Sequence, residues 1–285
     1  MTVSRRNRTL TGSLGRLPIH LILAVVVLVW IIPSLSVVVT SFRPPAAIAS
    51  TGWWTFFTNP QVTFDNYASV ISSLGFGRAI LNSFLIAVPS TVLPITLAAL
   101  AAYGFAWLTF PGRDWLFLGV VALMVVPIQA AFVPALQIFR AVGVGNSYIA
   151  IWVAHTTFAL PFATFLLRAF MVQLPPELLE SAKIDGASSL RVFLSIVLPL
   201  SRPAIASLAV LQFLWVWNDL LMALIFIQND AMYPLTYAAS RLQATYGQLF
   251  NYLSASAVLL MIVPIIVFIL LQRYFVRGIV AGSVK

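Results

Sequence analysis

Long stretches without charge set the limits on what this chain can become. No charged residue falls between Arg16 and Arg43, Arg78 and Arg113, Asp114 and Arg140, Arg140 and Arg168, or Arg241 and Arg273. Between Arg202 and Asp230 there is only Asp219. A bilayer crossing takes about 20 predominantly apolar residues, so each stretch holds one helix and none comfortably holds two. The expected spans lie near 17–39, 80–108, 115–138, 148–167, 202–227 and 251–273. The predicted fold is therefore all-α, a polytopic membrane protein with six transmembrane helices over 17–273. A basic N-terminus, 1–16, precedes that domain and a short tail, 274–285, follows it. A soluble alternative is excluded by composition, since 61% of residues are hydrophobic and 8% charged, against about 25% charged in soluble domains. Arg5, Arg6 and Arg8 would also suit a cleavable signal peptide. The run behind them is too long for one, and no small-residue cleavage site closes it before Ser41.

Orientation follows from the basic residues. With both termini cytoplasmic, Arg43, Arg78, Arg140 and Arg241 are outside and the other twelve of the 16 Lys and Arg residues are inside. This satisfies the positive-inside rule. The net charge of +9 is thereby accounted for, and no nucleic-acid partner is expected. The absence of cysteine excludes a disulfide framework and a thiolate metal site.

The connections are unequal. Residues 41–79 form a long outer segment carrying Trp53 and Trp54, which suit either an interfacial aromatic belt or contact with another protein. Phe110-Pro111-Gly112-Arg113 reads as a tight reversal, and a further outer loop covers about 228–250. Pro33, Pro89, Pro94, Pro127, Pro134, Pro161 and Pro264 fall within spans. Each removes a backbone donor, a defect membranes tolerate where neighbouring helices cover the freed carbonyl. Asp219 needs a partner or water, because a carboxylate at mid-span costs about 2.5–3.5 kcal/mol on insertion scales. With Trp215, Trp217 and Asn218 it makes a candidate substrate-pathway cluster, aromatic faces and hydrogen-bonding groups together. A structural network between helices is the competing reading.

The cytoplasmic loop 168–201 collects most of the charge between spans. Pro175 and Pro176 suit the first turn of a short helix, and Glu177 sits near its positive end. Glu180 and Lys183 are spaced to pair, while Leu178 and Ala182 share a stripe with Leu179 beside it. Gly186 is placed to reverse the chain in a left-handed conformation. Ser188 can cap a second helix, with Leu190, Phe193 and Val197 on one face, and Pro199 marks the return to the membrane. Two short helices at a sharp angle form a knob suited to a groove on a partner.

Glu180-Ser181-Ala182, three residues, Gly186, nine residues, then Ile196-Val197-Leu198-Pro199 resembles the EAA loop of bacterial ABC importer permeases, with Ser in place of the usual second Ala. Asn82-Ser83-Phe84, Ala101-Ala102-Tyr103-Gly104-Phe105-Ala106 and Trp217-Asn218-Asp219 are similar to carbohydrate-uptake permeases. So is the end, from Gln272 through Gly278 to Ala281-Gly282-Ser283-Val284-Lys285. Within that group the chain resembles the maltose-type G subunit, and Pro199-Leu200-Ser201 with the C-terminal pattern suggests the α-glucoside branch. The resemblance implies a permease of the bacterial inner membrane, paired with a second permease subunit, an ATP-binding subunit dimer and an extracellular or periplasmic sugar-binding protein. It implies that Glu180, Ser181, Ala182, Lys183, Asp185, Gly186 and Pro199 couple to the ATPase. It implies too that Arg277, Gly282 and Ser283 in the tail contact that ATPase.

No G-x-x-x-x-G-K-[ST] run is present, and the lysines are Lys183 and Lys285 alone, so this chain lacks the loop that cradles ATP phosphates. ATP and magnesium are expected on the partner ATPase, and this chain is expected to bind no cofactor or metal and to be no enzyme. His20 and His155 are isolated, and His155 suits either a satisfied membrane histidine or a path-lining one. The competing functions are a permease for another solute of the same importer class and a self-sufficient secondary transporter. The second commonly carries several intramembrane charges and inverted repeats. Here Asp219 is the single charge within a span.

Overall fold

The computed structural model describes residues 17–246 and 249–283, with side chains for 18–245 and 249–272. The expected N-terminal segment 1–16 and the side chains of Arg277 and Ser283 lie outside the described residues, as do Val284 and Lys285. The main helices are α1 (Leu17–Ser41), α2 (Phe76–Trp107), α3 (Arg113–Ala122), α4 (Ile128–Ala141), α5 (Tyr148–Met171) and α6 (Pro176–Ile184). After them come α7 (Arg202–Asn218), α8 (Leu221–Phe226), α9 (Leu235–Tyr246) and α10 (Phe250–Ser283). Among the described residues there is no strand.

Helices α1, α2, α5 and α10 are each long and apolar enough to cross a bilayer unbroken. Two bent pairs raise the number of candidate spans to 6. The third expected span is one of them, broken between Arg113–Val125 and Ile128–Ala141 at an angle of 103°. The cause is local. Pro127 cannot donate, and it forces Val126 into an extended conformation at φ −70°, ψ 123°. The second bend, 73°, separates Ser189–Leu200 from α7. The fifth expected span, 202–227, is interrupted at Asp219, which leaves the helix at φ −77°, ψ 118° before α8 begins. At the other end α10 runs on to Ser283, so no helix end separates the expected tail at 274 from the last span.

The chain forms two compact units, one from residues up to Ser73 with Tyr246–Val258, the other from Leu74–Thr245 with the chain from Leu259. In the first, α1 is exposed along most of its length, Trp30 to 78%, as an all-apolar helix facing lipid would be. Beyond it the segment expected as an outer loop is ordered by buried polar groups. Arg43, 3% exposed, donates to Ala47 O at 2.9 Å and to the Thr51 hydroxyl, at the C-terminal end of the short helix Pro45–Ser50. Asn66 donates to Ser41 O and Arg43 O, both at 2.9 Å, and accepts from Asn251 at 3.0 Å.

In the second unit α2, α5 and α7 pack through small residues. Ala98, Ala102 and Ala163 are at most 2% exposed, which lets the backbones approach closely in the absence of a hydrophobic drive between helices. Proline shapes these contacts further. Pro89 leaves Leu85 O without its helical donor, and Trp152 Nε1 of α5 donates to that oxygen at 2.8 Å. Pro94 frees Ser90 O, which accepts from Gln212 Nε2 of α7 at 3.2 Å. Pro264 frees Leu260 O, which accepts from Trp217 Nε1, also of α7, at 3.2 Å. At these three positions the missing donor is replaced by a side chain from another helix, which ties the two helices together.

Gln212→Leu should therefore leave a buried carbonyl unanswered and cost about 1–3 kcal/mol, read as a lower unfolding temperature of the detergent-purified complex. Pro94→Ala in the same chain restores the helical donor and should recover most of that loss.

Candidate coupling site and pathway

The cytoplasmic knob is built as its residues dictate. Helix α6 starts on Pro176, with Pro175 as its cap residue and Glu177 in its first turn. It ends in a Schellman motif, where Ala187 N–H donates to Ala182 O and Gly186 N–H to Lys183 O, both at 3.0 Å. That closure requires the left-handed conformation Gly186 adopts, φ +77°. Ser188 then caps the next turn, its hydroxyl accepting from Arg191 N–H at 3.4 Å.

The apolar anchoring differs in part from expectation. Leu179, 2% exposed, is the residue of α6 that enters the core, while Leu178 stays 44% exposed. In the second arm Phe193 and Val197 are buried as expected, but Leu190 is 61% exposed and Val192 takes its place at 1%. The reason is a π-helical turn over Phe193–Val197. Wider winding brings residues five apart, Val192 and Val197, onto one face. The expected Glu180–Lys183 pair does not form either. Among the described residues the ion pairs are Arg113–Asp114 and Arg241–Asp230, and the His155 imidazole also lies close to Asp219. Two exposed side chains at this spacing gain too little to be held together.

Leu179, Val192, Phe193 and Val197 belong to the same core cluster as Ala98, Ala102, Leu167 and Met171 of α2 and α5. Polar ties reinforce the junction. Trp107 Nε1 donates to Met171 O at 3.1 Å, and Arg168 Nε to Phe105 O at 3.3 Å. The Arg168 guanidinium also lies 4.0 Å above the Phe117 ring, so this cation is held by π-electrons and a carbonyl rather than a carboxylate. The opposite face of the knob is free. Glu180, Ser181, Lys183, Asp185 and Gly186 are exposed, Ala182 and Pro199 are half-buried, and Ile184 is 85% exposed.

The candidate pathway residues divide. Trp215 lines a cavity of about 430 Å³ with Leu123, Met124, Val126, Thr157 and Phe162, beside the break at Pro127. Asn218 is exposed and donates to Leu214 O of its own helix at 2.7 Å. Trp217 points inward, 3% exposed, edge-on to Phe84 at 4.9 Å and tied to α10. Asp219 is half-buried, and its Oδ1 accepts from Met222 N–H at 3.1 Å, which caps α8. Its other oxygen lies 3.8 Å from His155 Nε2. A helix cap between two helices was not visible in the sequence, because Asp219 lies within an unbroken apolar stretch. In the loop beyond, Tyr233 stacks on Tyr237 with centroids 3.5 Å apart. Hydrogen bonding from the Tyr237 side chain, with burial added, pushes the Tyr233 phenol up to about 12.

Residues 94–281 match the model of a family described as binding-protein-dependent transport system inner membrane component. The chain is 47% identical to the osmoprotective compounds uptake permease protein GgtD of Synechocystis, over 99% of this chain and 98% of that one. It is 50% identical to the alpha-glucoside transport system permease protein AglG of Rhizobium meliloti, over 82% of this chain and 63% of the relative. In shape it matches a solved bacterial ABC transporter involved in import of the acidic polysaccharide alginate. The TM-score is 0.79 at 21% identity, over 96% of this chain and 99% of that one.

Leu179→Ala removes the anchor that α6 contributes to the core and should cost about 2–5 kcal/mol locally. Limited proteolysis of inside-out vesicles should then cut within 174–201 at protease levels that leave the parent chain whole.

Proposed function

The chain belongs to the family of binding-protein-dependent transport-system inner membrane components, and from that premise we propose that it is the sugar-importing permease half of an ABC transporter whose knob, α6 with the arm 189–200, docks on a separate ATPase. It is a multi-pass helical subunit of an importer and not an enzyme. One observation carries the coupling role: the knob shares a core with α2, α5 and α7 on one side and presents bare apolar and charged residues on the other. A push on Leu178, Ile184 or Leu190 therefore reaches the membrane helices through buried contacts, without a flexible hinge between.

In this reading the cytoplasmic face carries both termini and the knob. A second permease encloses the other half of the path, an ATPase dimer holds ATP and magnesium, and a binding protein delivers the solute outside. Glu180, Lys183 and Asp185 give the ATPase contact its charge pattern, and Gly186 sets the angle between the knob's two arms. The tail with Arg277, Gly282 and Ser283 extends the same contact. The cargo is a neutral sugar of the α-glucoside type. The α-glucoside permease relative supports this, as does a pathway in which Trp215 and Asn218 are exposed while the single span carboxylate is engaged as a helix cap. The family assignment does not favour a self-sufficient carrier.

Reconstitution of the co-purified complex in proteoliposomes tests this. ATP-dependent uptake of an α-linked disaccharide in the presence of the binding protein is expected, and uptake without ATP would overturn it. Gly186→Val puts a β-branched residue at positive φ, costing at least about 1–2 kcal/mol, although space around Gly186 is open. With Glu180→Lys it should lower uptake severely while the chain still inserts and ATP is still hydrolysed. Normal uptake in both variants would remove the coupling role from this loop.

A further inference from the structure

Two sequence motifs that lie far apart, Asn82-Ser83-Phe84 and Trp217-Asn218-Asp219, meet in the structure around the segment 219–236. Asn82, 5% exposed, uses every hydrogen-bonding group it has. Its Nδ2 donates to Ala231 O and to Tyr233 O, each at 2.9 Å, and its Oδ1 accepts from the Tyr148 hydroxyl of α5 at 2.8 Å. Ser83, 4% exposed, accepts from Leu235 N–H at 2.8 Å, the first amide of α9. Asp219 caps α8 through Met222 N–H, and its carbonyl accepts from the Thr236 hydroxyl at 3.1 Å. Phe84 against Trp217 joins the two motifs directly. Asn82 and Ser83 of α2 thus hold backbone groups of the connecting loop and of the first turn of α9, and Tyr148 of α5 holds Asn82 in place. A loop whose own amides and carbonyls are held in this way is fixed in register to the helices that hold it.

We propose that Asn82, Ser83, Tyr148 and Asp219 are positioning residues of a polar clasp that makes α8, the loop 229–235 and the adjoining ends of α2 and α5 move as one rigid piece during the transport cycle. The inference rests on the importer reading, in which α2 and α5 receive the push from the knob at their opposite ends. The clasp carries that displacement into the loop at the outer mouth. Without it the helices still move when ATP is consumed, but the loop lags and the solute is not passed on.

The chain has no cysteine, so a spin label attached at the exposed Ala231→Cys before assembly is the single label on this chain and reports the loop. In the assembled complex the label should be immobilised in the parent and mobile with Asn82→Ala. Solute taken up per ATP hydrolysed should fall about tenfold in Asn82→Ala and in Asp219→Asn, a size typical of lost coupling. Because both residues serve one device, the double variant should be little worse than either single one. Tyr148→Phe and Thr236→Val each delete one hydroxyl with nearly unchanged shape. They should give intermediate losses even where Asn82→Ala fails to assemble. An unchanged uptake-to-ATP ratio in these variants overturns the clasp, whether or not the label gains mobility, and so do additive losses. Absence of ATP-driven uptake in the unmutated complex would instead overturn the importer reading, while the label contrast would still report the clasp.

Discussion

Hydrocarbon offers no hydrogen-bond partner, so every amide or carbonyl that leaves a helical ladder must be answered from within the protein. This chain leaves the ladder often, at Pro89, Pro94 and Pro264 within helices and at Pro127 and Asp219 between them. Its architecture is largely the set of answers. Trp152, Gln212 and Trp217 reach across to oxygens freed by proline. Asp219 replaces the helix it interrupts with a cap for the next one. The ties at Pro89, Pro94 and Pro264 thereby specify which helix lies alongside and at what height. A bundle of smooth apolar helices would lack that information, since lipid tails are as apolar as leucine and give helices no hydrophobic reason to choose one partner over another.

Small residues complete the specification. Alanines at the contact of α2 with α5 bring the backbones close, and close backbones are stiff relative to each other. The stiffness matters because the knob is not an appendage. Its anchors Leu179, Val192 and Val197 are packed in the same cluster as those alanines, with Tyr103 and Phe193 in ring contact 5.2 Å apart. Close packing transmits strain rather than absorbing it.

Much of this was legible in the sequence where a feature is periodic or where one residue type has one conformational use. The apolar stretches predicted the membrane helices, and Gly186 with Ser188 predicted the knob's turn and second cap. Proline predicted disruption but not its form. Whether Pro127 breaks a span at 103° or Pro264 merely loses a donor depends on the neighbouring helix, which local sequence does not contain. The same limit explains Val192 in place of Leu190, because a π-turn changes which residues share a face while the letters stay the same. Asn82 and Ser83 stood out as a motif, but their backbone partners lie some 150 positions away, at separations of 149, 151 and 152.

Two arginines carry their charge without a carboxylate partner. Arg43 is buried against carbonyl oxygens at the end of a short helix, and Arg168 rests on a phenyl ring and a carbonyl, so neither requires a carboxylate in an apolar setting. The one carboxylate within a span is engaged by a backbone amide. Fixed charge is thus kept away from the half-open surfaces around Trp215, and what remains there is aromatic and aliphatic with an occasional hydroxyl such as Thr157. In the importer proposed above, such a wall would give a polyhydroxylated neutral solute faces to slide across and few strong bonds to break. A charged solute would need compensating charge that this wall does not supply. The clasp lies apart from that wall, so the contacts that would move the loop need not be those that touch the cargo.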